Sequence, residues 1–279
     1  MQPANWPPDP MSKITQIRNS AQLLRVAHLN VELDYLKHRL HILKDISFEL
    51  APAQTHALVG ESGAGKTMTM LAILGLLPSA ARICKGNIFF RGNPLTKNGE
   101  HSFAKLRGRL ISVIFQNAGS ALNPLIRVGQ QIADVMRTHL KRTPAQIRTE
   151  IPALFEKVGL HQPEWTYRAY PHQLSGGMAQ RVMIALALSC HPELIIADEP
   201  TTALDVALKK QILELIRDLQ TERGFALLLI SHDLSAVATL ANTISIMRHG
   251  QIIESGDCQR IFENPRTGYT QQLLESSLA

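Results

Sequence analysis

A chain of 279 residues with 45% hydrophobic and 19% charged residues holds ample material for a packed core and excludes a wholly disordered polymer. Its 29 Lys and Arg against 23 Asp and Glu leave a net charge of +6, which suits a polyanionic ligand, a membrane surface or nucleic acid without choosing among them. Cys84, Cys190 and Cys258 are odd in number and far apart, which argues against a disulfide framework, a zinc site or an iron–sulfur cluster and suits a reducing compartment.

The first residues are rich in proline (Pro3, Pro7, Pro8 and Pro10) and have no apolar run, so about 1–20 reads as a disordered lead rather than a signal peptide. No stretch approaches the roughly 18 apolar residues of a membrane span. From Leu23 onward the chain reads as one α/β unit. Leu23–Leu33 and Ile42–Leu50 are strand-like, with Leu29, Val31 and Leu33 alternating with polar neighbours, and Asp34–His41 is a variable loop. Thr55–Val59 is a buried strand. A helix over Met68–Leu77 follows, stopped by Pro78, and Gly86–Arg91 and Leu110–Phe115 are further strands.

Beyond Gln116 the texture turns helical, with helices over Val128–Leu140, Pro144–Val158 and Gly176–Ser189 separated by Gly159, Pro163 and Pro171. This predicts a helical lobe from Asn117 to Leu174, and to about 190 with the last helix, inserted in the α/β core. Alternation then returns: strand Leu194–Ala197, helix Val206–Glu222, strand Ala226–Ile230, helix Asp233–Leu240 and strand Thr243–Met247. A turn at His249–Gln251 leads to Ile252 and Ile253, and the tail Pro265–Ser277 ends in a short helix.

Gly60-Glu61-Ser62-Gly63-Ala64-Gly65-Lys66-Thr67 fits G-x-x-x-x-G-K-[ST] in full, between a strand and a helix. The glycines let the backbone wrap a phosphate, and the helix N-terminus adds positive potential. Lys66 reaches the β- and γ-phosphates of a nucleotide and Thr67 offers an oxygen to Mg²⁺. The second chemical feature is Leu194–Pro200, an apolar strand ending in Asp198 and Glu199. Asp198 emerges where phosphate-loop folds bind nucleotide and is placed to hold magnesium through water. Glu199 is placed to polarise the attacking water.

Leu174-Ser175-Gly176-Gly177-Met178-Ala179-Gln180-Arg181 resembles the signature of ABC-transporter ATPases. Ser175 also reads simply as the cap of the helix opening at Gly176 and Gly177. The rest of that family's pattern follows in order. Gln116 resembles the Q-loop glutamine, which implies contact with the magnesium-bound phosphate and the membrane partner. Asp205 resembles the D-loop aspartate facing the opposite subunit, and it also suits a helix cap. His232 resembles the switch histidine that contacts the γ-phosphate and supports Glu199, while Asp233 reads as a cap. For the adenine-stacking position Tyr35 is the candidate and Leu33 the alternative. The nucleotide-binding set implied is Tyr35, Gly60, Glu61, Ser62, Gly63, Ala64, Gly65, Lys66, Thr67, Thr69, Ser175, Gly176, Gly177 and Asp205. Thr67, Gln116 and Asp198 are the metal candidates, and Glu199, His232, Gln116 and Lys66 the catalytic ones.

The resemblance is nearest to the D-type ATPases of bacterial dipeptide, oligopeptide and nickel importers, through Ser120–Leu125, Glu199–Val206 and Asn264–Thr270. It implies a P-loop NTPase with a RecA-like mixed-sheet core, an N-terminal antiparallel β subdomain and an inserted helical signature subdomain. It implies ATP and Mg²⁺ as cofactors and a head-to-tail dimer with a second, related ABC ATPase. It also implies two multi-span permease subunits, an extracytoplasmic solute-binding protein reached through them, and a place on the cytoplasmic face of the inner membrane. The family's longer members carry a cysteine-rich C-terminal extension that this sequence does not show, so no cluster is expected. An ATPase of DNA repair or chromosome maintenance shares these motifs and stays an alternative, as does an exporter ATPase. The scattered +6 charge makes no nucleic-acid patch, and the residues do not name the solute.

Overall fold

The computed structural model describes residues 22–36, 38–96, 100–202 and 204–278; the lead read from the sequence lies outside them. Two sheets and a cluster of helices build the chain. The first sheet is antiparallel, in the order β2–β1–β4–β5, with β1 (Leu24–Tyr35), β2 (His38–Leu50), β4 (Ala81–Phe90) and the short β5 (Asn93–Pro94). The second, in the order β10–β9–β3–β8–β7–β6, contains β3 (Thr55–Val59), β6 (Ile111–Ile114), β7 (Leu194–Asp198), β8 (Ala226–Ser231), β9 (Thr243–Arg248) and β10 (Gln251–Asp257). Its strands are parallel except β10, which returns antiparallel to β9, so the sheet is mixed.

The central strands are buried on both faces. Ile195, Ala197, Leu227 and Leu229 join the core on the helical side, while Leu194, Ile196, Leu228 and Ile230 join the core shared with the antiparallel sheet. Two buried faces leave no position for a polar residue, which is why these strands are unbroken apolar runs. Each buried Leu or Ile contributes about 1.5–3 kcal/mol before entropy is counted.

The helices are α1 (Lys66–Leu74), α2 (Glu100–Ala104), α3 (Ala118–Ala121), α4 (Val128–His139), α5 (Pro144–Lys157), α6 (Pro163–Arg168), α7 (Gly176–Leu188), α8 (Val206–Arg223), α9 (Leu234–Leu240), α10 (Cys258–Glu263) and α11 (Gly268–Leu278). Helices α3 to α7 form the insertion between β6 and β7, and α7 packs on β6, α3, α4 and α5. Helix α5 starts at a full capping box, with Thr143 and Gln146 satisfying each other's backbone N–H and Pro144 at the first helical position.

Several expected boundaries move. The variable loop Asp34–His41 is a tight hairpin, in which Asp34 pairs with Arg39 and Tyr35 with His38. Helix α1 begins at Lys66 and ends at Gly75, whose left-handed φ of 66° caps it before Pro78 is reached. Strand β4 starts at Ala81, five residues earlier than expected. Pro163 opens α6 rather than only breaking the chain, because its fixed φ and missing N–H suit a first helical turn. Helices α2, α3, α6 and α10 are too short for any 3.6-residue period to show.

Candidate active site

The phosphate loop leaves the C-terminal end of β3 at the middle of the mixed sheet and enters α1. Among the described residues no side chain caps α1, so its first N–H groups stay available at the positive end of the helix. Gly65 has φ 107°, and a Cβ there would lie 2.8 Å from Leu43 Cδ2, so the motif's last glycine answers both to backbone angle and to space. The turn between β9 and β10 braces the loop: Gly250 N–H donates to Ala64 O (3.0 Å), and Lys44 N–H donates to Gly250 O (2.7 Å). Lys66 is buried and its ammonium donates to Gly60 O (2.6 Å) and Glu61 O (3.0 Å), which holds the cation inside the loop's curve. Burial lowers its pKa, opposed by the charges of Glu199 and Asp198.

Glu199 is the hub of the site. It follows β7 with a left-handed φ of 48°, a conformation that costs a non-glycine residue about 1 kcal/mol or more, while its N–H still donates to Ile230 O (2.8 Å). That bend turns its carboxylate onto three neighbours. Gln116 Nε2 donates to Oε2 (2.9 Å), Thr202 Oγ1 donates to Oε2 (3.0 Å), and His232 Nδ1 donates to Oε1 (2.9 Å). Gln116 comes from the end of β6, Thr202 from the turn after β7 and His232 from the end of β8, so three neighbouring strand ends meet at one carboxylate. A bond from His232 Nδ1 fixes that nitrogen as the one bearing hydrogen and leaves Nε2 pointing away from Glu199. Asp198 sits beside the hub; burial and then the charge of Glu199 raise its pKa, and Lys66 partly offsets them.

The other expected residues fall into separate groups. Ser175 caps α7, its Oγ accepting from Met178 N–H (3.3 Å), while Gly176 is exposed and Gly177 lies against Leu208. Helix α7 packs on β6, which lies three strands from β3, a span of about 14 Å of sheet. Asp205 caps α8 by accepting from Leu208 N–H (2.9 Å), and Asp233 caps α9 through the N–H groups of Ser235 and Ala236. The neighbouring Ala203 lies outside the described residues. Tyr35 stands at the hairpin tip, 59% exposed, about 17 Å along β2 from the Leu43 that touches the loop. Thr69 is fully buried and its hydroxyl donates to Gly65 O (3.0 Å), one turn back in its own helix. Thr202 was missed from the sequence; its only signal was a hydroxyl three residues after the acid, within reach across a turn.

The oxygen donors at the site suit a nucleotide–magnesium group. The exposed Thr67 hydroxyl, the Asp198 carboxylate and the Gln116 amide oxygen are hard oxygen donors. The raised pKa of Asp198 marks two crowded carboxylates that a cation would relieve. No group of three or more His, Cys, Asp or Glu suited to a metal occurs among the described residues.

Comparison with known proteins agrees with this geometry. The ABC transporter family model matches residues 43–202. The chain is 42% identical over 257 residues to the peptidoglycan transport ATP-binding protein YejF of Agrobacterium fabrum, covering 92% of this chain and 47% of that one, so it spans about half of that relative's length. It is 40% identical over 256 residues to the dipeptide transport ATP-binding protein DppD of Bacillus subtilis, covering 91% of this chain and 76% of that one. A dimeric, post-hydrolysis structure of the ATP-binding cassette MJ0796 with ADP and Pi superposes with a TM-score of 0.75 at 22% identity, over 84% of this chain and 98% of that one, which supports the fold. The RecA-like mixed sheet, the antiparallel sheet and the inserted helices are therefore the fold expected, and the chain belongs to the ABC transporter family as an ATP-binding subunit that hydrolyses ATP.

Proposed function

We propose that this chain energises uptake of a peptide or another small solute, nickel included, by an ABC importer, working from the cytoplasmic face of the inner membrane. The observation that carries the chemistry is the convergence of Gln116, Thr202 and His232 on the Glu199 carboxylate beside a complete phosphate loop. The loop's N–H groups and Lys66 hold the phosphates; Thr67, Asp198 and Gln116 would hold Mg²⁺, which would neutralise phosphate charge. Glu199 accepts a proton from the attacking water. Gln116, Thr202 and His232 aim it, and His232 Nε2 faces the γ-phosphate. The dipeptide name carried by DppD of Bacillus subtilis favours peptides over nickel as cargo.

The distance along the sheet between the phosphate loop and α7 supports a head-to-tail pair. In that pair ATP on Lys66 and Thr67 of one ATPase meets the Ser175–Gly177 helix end of a second, related one, with Asp205 at the shared face. The γ-phosphate adds contacts that ADP does not, so ATP closes the pair and hydrolysis opens it. The region of Gln116 and Asn123, where Leu125 is 84% exposed, grips the cytoplasmic helices of two multi-span permease subunits. A solute-binding protein delivers cargo to those subunits from outside, and no nucleic acid is involved. Among the described residues no helix is long and apolar enough to cross a membrane, so the bilayer path belongs to those partners. The test is purification with partners and reconstitution in vesicles. Uptake of a peptide that stops with Lys66→Ala is the expected result; DNA-stimulated ATPase without any membrane partner would contradict it.

A further inference from the structure

The turn Asn123–Ile126 lies between α3 and α4. It presents Leu125 to solvent, while Leu122 just before it is buried in the core. A short surface turn has few contacts of its own to hold one shape. Here a single side chain supplies them. Gln131, half-buried at the end of the first turn of α4, lays its amide along the backbone of the turn. Its Oε1 accepts from Asn123 N–H (3.0 Å), and its Nε2 donates to Asn123 O (3.0 Å) and to Ile126 O (2.8 Å). The two bonds to Asn123 copy the exchange that paired residues make in an antiparallel ladder.

Within the turn, Leu125 N–H donates to Asn123 Oδ1 (3.0 Å) and Ile126 N–H donates to Asn123 O (3.3 Å). Pro124 has no N–H to give. Every backbone donor from Asn123 to Ile126 is thus used inside the chain, and what the turn offers a partner is the Leu125 side chain. The anchor is itself held. Val128 N–H, at the start of α4, donates to Ala169 O (2.9 Å), and an added Cβ on Gly129 would lie 2.4 Å from Tyr167 Cδ2. We propose that Gln131 is a positioning residue, fixing the turn so that Leu125 enters an apolar recess on a cytoplasmic permease helix. A loop that must be ordered on binding loses affinity to that ordering; a loop already fixed does not. The amide is required, because Oε1 must accept while Nε2 donates twice. A carboxylate there would only accept and would face two carbonyls.

The inference rests on the reading of Asn123 and Leu125 as the permease-facing region, so the experiment tests both. Inverted membrane vesicles from cells producing the chain with its partners are stripped of it with urea. They are then titrated with purified wild type, Gln131→Leu, Gln131→Glu and Leu125→Asp, and the MgADP affinity of each protein is measured by calorimetry. Both Gln131 variants are expected to rebind roughly 10-fold more weakly, the scale of one to two net hydrogen bonds, with MgADP affinity unchanged. Wild-type rebinding by either Gln131 variant, with Leu125→Asp weakened, overturns the inference and leaves the turn as the permease contact. Wild-type rebinding by Leu125→Asp overturns that reading of the turn, and the inference with it. A loss of MgADP affinity equal to the loss of rebinding makes Gln131 a support of the whole fold and also overturns the inference.

Discussion

At the scale of single residues, the positions around Glu199 differ in how they act. Gln116 and His232 hold the carboxylate, each through one hydrogen bond of 2.9 Å. Gln116→Ala or His232→Ala should therefore lower kcat by roughly 10–100-fold, because a base that wanders by about 1 Å loses on that order, while ATP affinity changes far less. Steady-state kinetics read as a KM-against-kcat split checks this. His56 makes a separate, stability prediction. It is buried, stacked on Phe48 at 4.9 Å and bonded to Thr243 Oγ1 (2.8 Å) and Ser245 Oγ (3.1 Å), and burial lowers its pKa to about 4. The unfolded chain takes up a proton below 6.5 and the folded one not until about 4, so the contribution is whole above pH 6.5 and is lost as pH falls through that window. The total is about 3 kcal/mol. Urea unfolding at pH 7.5 and pH 5 should show the loss in the wild type and much less of it in His56→Gln. That Gln116, Glu199 and His232 would meet was legible in the sequence because each follows a strand of the parallel part of the sheet. The part of Thr202 was not, since its partner lies across a turn. The bond of the Thr69 hydroxyl back to Gly65 O was not readable either, since a threonine in a first helical turn can point outward or bond to its own helix.

At the scale of elements, α7 carries the signature, and its start depends on two small details. Ser175 satisfies Met178 N–H, and Gly177 makes room for Leu208 of α8, whose side chain would lie 2.6 Å from an added Cβ. Ser175→Ala should cost about 1 kcal/mol of stability through the lost cap. Gly177→Ala should cost no more than about 1 kcal/mol, because the Leu208 methyl that meets the added Cβ can turn aside, and should lower ATPase activity per folded molecule if the helix end must lie against nucleotide. Thermal unfolding beside activity per folded molecule separates the two effects. The long elements could be read from their patterns: doubly buried strands such as β7 and β8 show as unbroken apolar runs, and α4, α5, α7 and α8 show as periodic segments ended by turn residues. The β1–β2 hairpin was misjudged because its strands run on through polar residues, Asp34 to His41, whose pairing is set by backbone hydrogen bonds rather than by burial. Short helices such as α6 had too few turns to reveal a period.

At the scale of the whole molecule, the mixed sheet gathers the strand ends of β3, β6, β7 and β8 into one edge, and nearly every position proposed as catalytic lies there. That concentration was readable, because motifs at the ends of parallel strands must share an edge. Which face meets a second ATPase was not, since Ser175, Asp205 and Tyr35 each satisfy a local role within one chain. The proposed function gives binding to the phosphate loop and hydrolysis to the Glu199 hub, and one variant separates the two. Glu199→Gln keeps the size and the neighbours of the side chain and removes the group that takes the proton. With MgATP and the partner ATPase it should retain nucleotide affinity, lose turnover by on the order of 10²–10⁴-fold and accumulate a closed ATPase pair holding unhydrolysed ATP. Hydrolysis near the wild-type rate, with the same affinity, would contradict the role given to Glu199 and with it the active site described.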